Sequence, residues 1–178
     1  YDNTPKTISY GNALSFDGNG DYVDLGDDDV FDFGTGNFTI QGWIKPTSAS
    51  QNGRIVARGN TSSPGSYQLN IESKGQLRLH FQNLDILSNE NVIQAQRWQH
   101  LVLTRNGTTV KGYVNTVEVI DYTISANIDL TSDQPLFIGK APNGDGPFKG
   151  LIDEVAMWND ALTAAEITSL YNSVVALD

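Results

Sequence analysis

Apolar residues in this chain recur at every second position, in short runs broken by turn residues, almost from end to end. Only an extended strand sends alternate side chains to opposite faces, so each run carries one apolar face that must be buried against another. "NFTIQGWIKP" places Phe38, Ile40 and Ile44 on one side, and Thr39, Gln41, Trp43 and Lys45 on the other. "SYQLNIES" turns Tyr67, Leu69 and Ile71 inward and Gln68, Asn70 and Glu72 outward. "KGQLRLHFQN" does the same with Leu77, Leu79 and Phe81 against Arg78, His80 and Gln82. "TVKGYVN" puts Val110 and Val114 in, Lys111 and Tyr113 out. "RWQHLVLTRNG" is apolar on much of both faces, which marks a central strand. Lys74-Gly75 and Asn106-Gly107 are hairpin signals between neighbouring runs.

One segment departs from this period. "LTAAEITSLYNSV" carries Thr163 as N-cap and Glu166 three residues on, a capping box, with Leu162, Ile167, Leu170 and Tyr171 as a short apolar stripe. The rest reads as about eleven or twelve short strands with regular turn signals, an all-β, two-sheet antiparallel β-sandwich with one short C-terminal helix. No internal repeat and no linker divides the chain, so residues 1–178 form one domain, with 1–10 as a lead-in segment or an edge strand.

Composition narrows the function. Acidic residues outnumber basic ones 21 to 11, a formal charge of −10, which argues against a nucleic-acid or anionic-membrane binder. With no cysteine there is neither a disulfide framework nor a thiolate metal site. No run approaches the ~20 apolar residues of a membrane span. The opening "YDNTPKT" lacks both an initiator Met and a signal peptide, as expected of an excised module or mature fragment.

The acidic knot "DGNGD" spaces Asp17, Asn19 and Asp21 like the start of an EF-hand. The sixth loop position, which needs Gly, is Tyr22, and the twelfth, which needs Glu, is Asp28. Its flanks alternate as strands do, so the knot is a turn between strands. "GDDDVFDFG" is a second acidic patch; Asp27, Asp28, Asp29 and Asp32 form either a solvated loop or a second ion site.

Four stretches, "ALSFDGNGDYVDL", "FTIQGWIKP", "RWQHLVLTRNG" and "FKGLIDEVAMWNDALTAAEI", occur in an order that resembles the laminin-G-like, concanavalin A-like jelly-roll domains of bacterial secreted proteins. They span roughly residues 12–172. The resemblance implies a jelly roll, secreted or on the cell surface, with a structural calcium ion between the "FDG" turn and the "IDE" strand. Carried over, Asp17 and Asp153 would give side-chain oxygens, Asn19 or Gly20 a backbone carbonyl, and Asp21 a further ligand. Hard oxygens of this kind suit Ca²⁺. The alternative for Asp153 is a carboxylate that accepts backbone N–H bonds in a turn.

This superfamily includes glycoside hydrolases and lyases. Hydrolysis needs two carboxylates facing each other across the bond. The related glucanases carry Glu-x-Asp-x-x-Glu on one strand, and this chain has no such run. His80 and His100 could support only a lyase, with Tyr113. The expectation is therefore a non-catalytic carbohydrate-binding module, a monomer tethered to other domains of a polysaccharide-degrading enzyme. A protein–protein or cell-adhesion module is the alternative, and an enzyme ranks below both. The outward residues Gln41, Trp43, Asn70, Arg78, His80, Lys111 and Tyr113, taken as one sheet face, offer rings for stacking on sugars and amides and bases for hydroxyls or carboxylates. Their basic excess suits an anionic polysaccharide or oligosaccharide. A one-sided sheet has a polar outer face in any case, and Trp43 could equally serve packing. Rim loops 58–67 and 141–148, with Arg58, Tyr67 and Asn143, are the other candidate edge.

Overall fold

The computed structural model describes residues 12–175; the expected lead-in over 1–10 lies outside them. In chain order the elements are β1 (Leu14–Asp17), β2 (Val23–Asp24), a 3₁₀ turn (Asp29–Phe31), β3 (Phe38–Pro46), β4 (Gly53–Arg58), β5 (Tyr67–Glu72), β6 (Gln76–Phe81), β7 (Leu84–Leu87), β8 (Gln99–Asn106), β9 (Thr109–Val114), β10 (Val117–Thr123), β11 (Leu136–Ile138), β12 (Lys149–Trp158) and α1 (Ala164–Val175). They form two six-stranded sheets, β1-β12-β3-β8-β9-β10 and β2-β11-β4-β5-β6-β7, antiparallel throughout. This is the expected jelly-roll sandwich.

The core is the set of alternate residues that the period selects. Phe38, Ile40 and Ile44 of the first sheet meet Tyr67, Leu69, Ile71, Leu77, Leu79 and Phe81 of the second in one buried cluster, with Val110 and Val114 beside them. Each such side chain contributes about 1.5–3 kcal/mol on leaving water. The β5–β6 hairpin turns at Lys74 and Gly75 with φ of 69° and 68°, the mirror-image turn that matches strand twist. Asn115 and Thr116, at φ 49° and 71°, make a turn of the same hand between β9 and β10 without a glycine.

The capping box forms as expected. The Thr163 N–H donates to Glu166 Oε2 at 2.8 Å, and the Glu166 N–H donates to Thr163 Oγ1 at 3.3 Å. The helix lies on the outer face of the first sheet. Ile167, fully buried, packs with Val102, Tyr113 and Leu162, and Tyr171 stacks on Trp43 at 5.3 Å. β8 is central, between β3 and β9, but its second apolar face exists because the helix covers it.

Candidate functional site

The outward residues expected on one face fall on two. Gln41, Trp43, Lys111 and Tyr113 belong to the first sheet, and Asn70, Arg78 and His80 to the second. The division follows the strand pairing: β3 bonds to β8 and β12, never to β5. Trp43 is 1% exposed, held between His100 at 5.1 Å and Tyr171 at 5.3 Å, so no sugar ring reaches it. Gln41 accepts from His100 Nε2 (2.9 Å) and donates to the Glu154 carbonyl (3.3 Å). Lys111 pairs with Glu118 at 2.8 Å and Asp121 at 3.5 Å, and the Tyr113 hydroxyl donates to Glu118 at 3.3 Å. These four hold the helix-covered sheet together and do not join the second face.

The rim candidates also move. Arg58 is fully buried at the sandwich edge, paired with Asp32 at 2.8 Å and donating to the carbonyls of Asp28 (3.1 Å) and Ser132 (2.5 Å). The Tyr67 hydroxyl donates to the Phe31 carbonyl at 2.9 Å, and burial pushes its pKa up. Of the second acidic patch, Asp32 and Asp28 are thus engaged in fastening the edge, with Asp28 also capping the 3₁₀ turn at Val30 N–H (2.9 Å).

What remains is the outer face of the second sheet. Register sets Arg54 opposite Asn70 and Asn70 opposite Arg78; Gln68 stands opposite His80, and His80 opposite Asp85. The side chains are linked across the strands. Gln68 donates to the Gly59 carbonyl (3.2 Å) and Asn70 donates to Gln68 Oε1 (3.1 Å). Arg78 grips Asp85 through Nε (2.9 Å) and Nη2 (2.7 Å) and reaches Glu72 at 3.2 Å. His80 meets acceptors at both ring nitrogens, Asp85 at 2.6 Å and the Thr61 carbonyl at 3.0 Å. Burial works to raise the Asp85 pKa, but hydrogen bonds from His80 and Arg78 outweigh it and hold the carboxyl below its usual range.

Two rim loops stand over this face. The Asn143 N–H donates to Asn60 Oδ1 at 3.0 Å, joining them, and Gly146 lies so close to Arg54 that a Cβ there would sit 2.8 Å from Cζ. Beneath them Gln68 and Asn70 are fully buried, His80 is 2% exposed, and Arg54 is 9% exposed. Arg54 Nε, Arg54 Nη1 and Asn70 Oδ1 are buried without a hydrogen-bond partner among the described residues. Each such atom costs about 1–3 kcal/mol while it stays unbonded.

Two carboxylates do occur here, Glu72 and Asp85, on opposite sides of Arg78. A glycosidase needs one carboxyl kept protonated by a raised pKa, and Asp85 is shifted the other way. Neither Arg54 nor Asp85 was singled out by the sequence pattern. Arg54 sits at a register shift between Arg54 and Val56 that breaks the two-residue period, and Asp85 lies on a four-residue strand too short to show one.

Of the calcium ligands expected from the family resemblance, Asp17, Asn19, Gly20 and Asp21 share one turn and Asp153 stands apart. Asp17 pairs with Lys149 on β12, and Asp153 stands four residues further along that strand, about 13 Å away at the strand rise. The Asp17 carboxylate accepts from the Asn19 N–H (2.6 Å), Asp21 from the Asp17 N–H (2.9 Å), and Asp153 from the Glu154 N–H (2.9 Å), at a bulge where Glu154 has φ 49°. Among the described residues no group of three or more His, Asp or Glu side chains is placed to hold a metal ion. "DGNGD" is built as a self-bonded Asx turn, with Gly20 and Asn19 at its tip.

A family model for the concanavalin A-like lectin/glucanases superfamily, of laminin G type, matches residues 17–168, and the chain belongs to this family. Among solved structures it resembles domain 4 of AbnA, a GH43 extracellular arabinanase from Geobacillus stearothermophilus, in complex with arabinotriose. That match has 23% identity and a TM-score of 0.69, over 96% of this chain and 84% of that one. The CBM40 of the Ruminococcus gnavus IT-sialidase, bound to α2,3 sialyllactose, aligns at 16% identity and TM-score 0.74 over 90% and 96% of the chains. Adhesion G-protein coupled receptor V1 of Danio rerio is 21% identical over 153 residues, which is 80% of this chain and 2% of the receptor.

Proposed function

We propose that this chain is a non-catalytic carbohydrate-binding module that holds an oligosaccharide or polysaccharide on the outer face of its second sheet. The observation that carries the reading is the polar cluster on that face, where Glu72 and Asp85, with side chains 20% and 49% exposed, flank Arg78. Sugars supply hydroxyls that donate to carboxylates, and the Asp85 carboxyl, held below its usual range by His80 and Arg78, is ill suited to give a proton for cleavage. Two structural neighbours in complex with oligosaccharides, arabinotriose and sialyllactose, support the ligand class. A module of this kind belongs to a secreted or surface protein, as an accessory to a polysaccharide-degrading domain.

The test is affinity electrophoresis of the chain through a panel of polysaccharide gels. Retardation by one glycan is expected, lost in Glu72→Ala and Asp85→Ala and kept in Tyr113→Phe on the other sheet. Loss in Tyr113→Phe alone would move the site to the helix-covered face. Failure of every glycan to retard the folded chain would favour the adhesion reading. That reading draws on the receptor relative and on an apolar groove of about 430 Å³ at the sandwich edge, where Leu25 is 41% and Val30 60% exposed.

A further inference from the structure

We infer that the cleft between α1 and the end of β12 receives a cationic side chain, lysine or arginine, of a protein partner, with its alkyl stem against Trp158 and its charge on Glu166. The cleft belongs to the first sheet, away from the glycan face, and the inference stands independently of the glycan reading. Its volume is about 430 Å³, and Trp158, Leu162, Glu166, Ser169, Leu170 and Ser173 line it. Glu166, Ser169, Leu170 and Ser173 share one face of the helix, and Trp158 and Leu162 come from the strand and the link before it. Glu166, Ser169 and Ser173 are exposed, and Trp158, Leu162 and Leu170 are half-buried, so every wall is within reach of a ligand.

Unlike Trp43 and Trp98, Trp158 makes no hydrogen bond and no ring or cation contact with the described residues. An indole face attracts a cation and packs well on the alkyl stem that carries it. The polar atoms around the cleft are acceptors. Ser169 Oγ donates its proton to the Ala165 carbonyl at 2.9 Å and Ser173 Oγ to the Leu170 carbonyl at 2.7 Å, which leaves their lone pairs open. Glu166 Oε2 accepts from the Thr163 N–H and hydroxyl, both at 2.8 Å, and these bonds hold the carboxyl below its usual range. Its Oε1 accepts nothing from the described residues, and none of them forms an ion pair with it. Residues 150–178 hold five acidic residues and no Lys, Arg or His. Along the sheet row that runs from Trp158 through Thr39 and Thr104, the first base is Lys111, already held by Glu118 and Asp121. An aromatic wall, leucine sides and a negative rim of acceptors are the complement of a long alkyl chain that ends in a cation. A sugar could also donate to the rim, but it brings no positive charge to Glu166 and sets hydroxyls against two leucines.

Nitrogen–proton correlation spectra of the chain, titrated with the blocked tripeptides Ala-Arg-Ala and Ala-Lys-Ala and with the citrulline analogue of the first, test this. The Trp158 indole N–H signal, identified as the one missing in Trp158→Phe, should move with the cationic peptides, together with the Ser169 and Leu170 amides. It should stay still with the neutral citrulline peptide, and the Trp43 indole should stay still throughout. Glu166→Gln, which keeps the capping box, should weaken the affinity about fivefold. Trp158→Leu should remove the response at Leu170 in a chain whose remaining signals show it folded. An equal response to the citrulline peptide, or a parental affinity in Glu166→Gln, overturns the cation assignment. Movement of the Trp158 signal with arabinotriose or galacto-oligosaccharide in place of the peptides overturns it too and makes the cleft a sugar site. A folded chain whose Trp158 signal moves with none of these probes overturns the cleft as a binding site.

Discussion

His100 shows how one residue fixes both a local geometry and a pH limit. It is fully buried between Trp43 and the helix, its Nε2–H donating to Gln41 Oε1 at 2.9 Å, while Nδ1 has no partner among the described residues. Burial pushes its pKa down to about 4. The unfolded chain, with an ordinary histidine near 6.5, binds a proton in that interval that the folded chain refuses. Stability is therefore whole above about pH 6.5 and declines as pH falls toward 4, by about 3 kcal/mol in total. Denaturant titrations across this range should show the slope, and His100→Gln should flatten it. An identical slope in the variant would assign the acid sensitivity elsewhere. Asp85, whose pKa is lowered, adds its own loss only below the ordinary carboxylate range.

At the scale of the element, α1 converts a half-wet sheet into a two-sided one. Its anchor is Ile167, buried to 0% against Val102 and Tyr113. Ile167→Ala should cost about 2–4 kcal/mol in chemical denaturation and, by loosening the helix, shift the emission of Trp43 to longer wavelength. A loss under about 1 kcal/mol would mean that the helix rides on the sheet without holding it. The capping box and apolar stripe made this helix legible from sequence, because both are local signals. Where it docks was not legible. Trp43, Gln41 and Tyr113 read as outward because alternation reports which side of a strand a residue is on, and is silent about what covers that side.

The whole molecule decides which distant strands share a face and which acids share a site. The resemblance places Asp17 and Asp153 together at a calcium ion; the antiparallel register of β1 on β12 holds them apart and gives each carboxylate a backbone N–H. From that geometry, Asp153→Asn should leave any calcium dependence of the melting temperature as it is in the parent chain. A fall of several degrees on chelation in the parent chain, abolished in the variant, would make Asp153 a ligand after all.

Alternation determined the strands, their inward sets, the two-sheet class and the hairpin at Lys74-Gly75, because each depends on residues adjacent along the chain. Tertiary structure alone decided the split of the polar residues between two sheets, the burial of Trp43 and Arg58, and the convergence of Arg54, Asn70, Arg78, His80 and Asp85 under the rim loops. Those outcomes depend on which strands pair and on one bulge, and pairing is settled by the packing of the entire core, to which no short stretch of sequence has access.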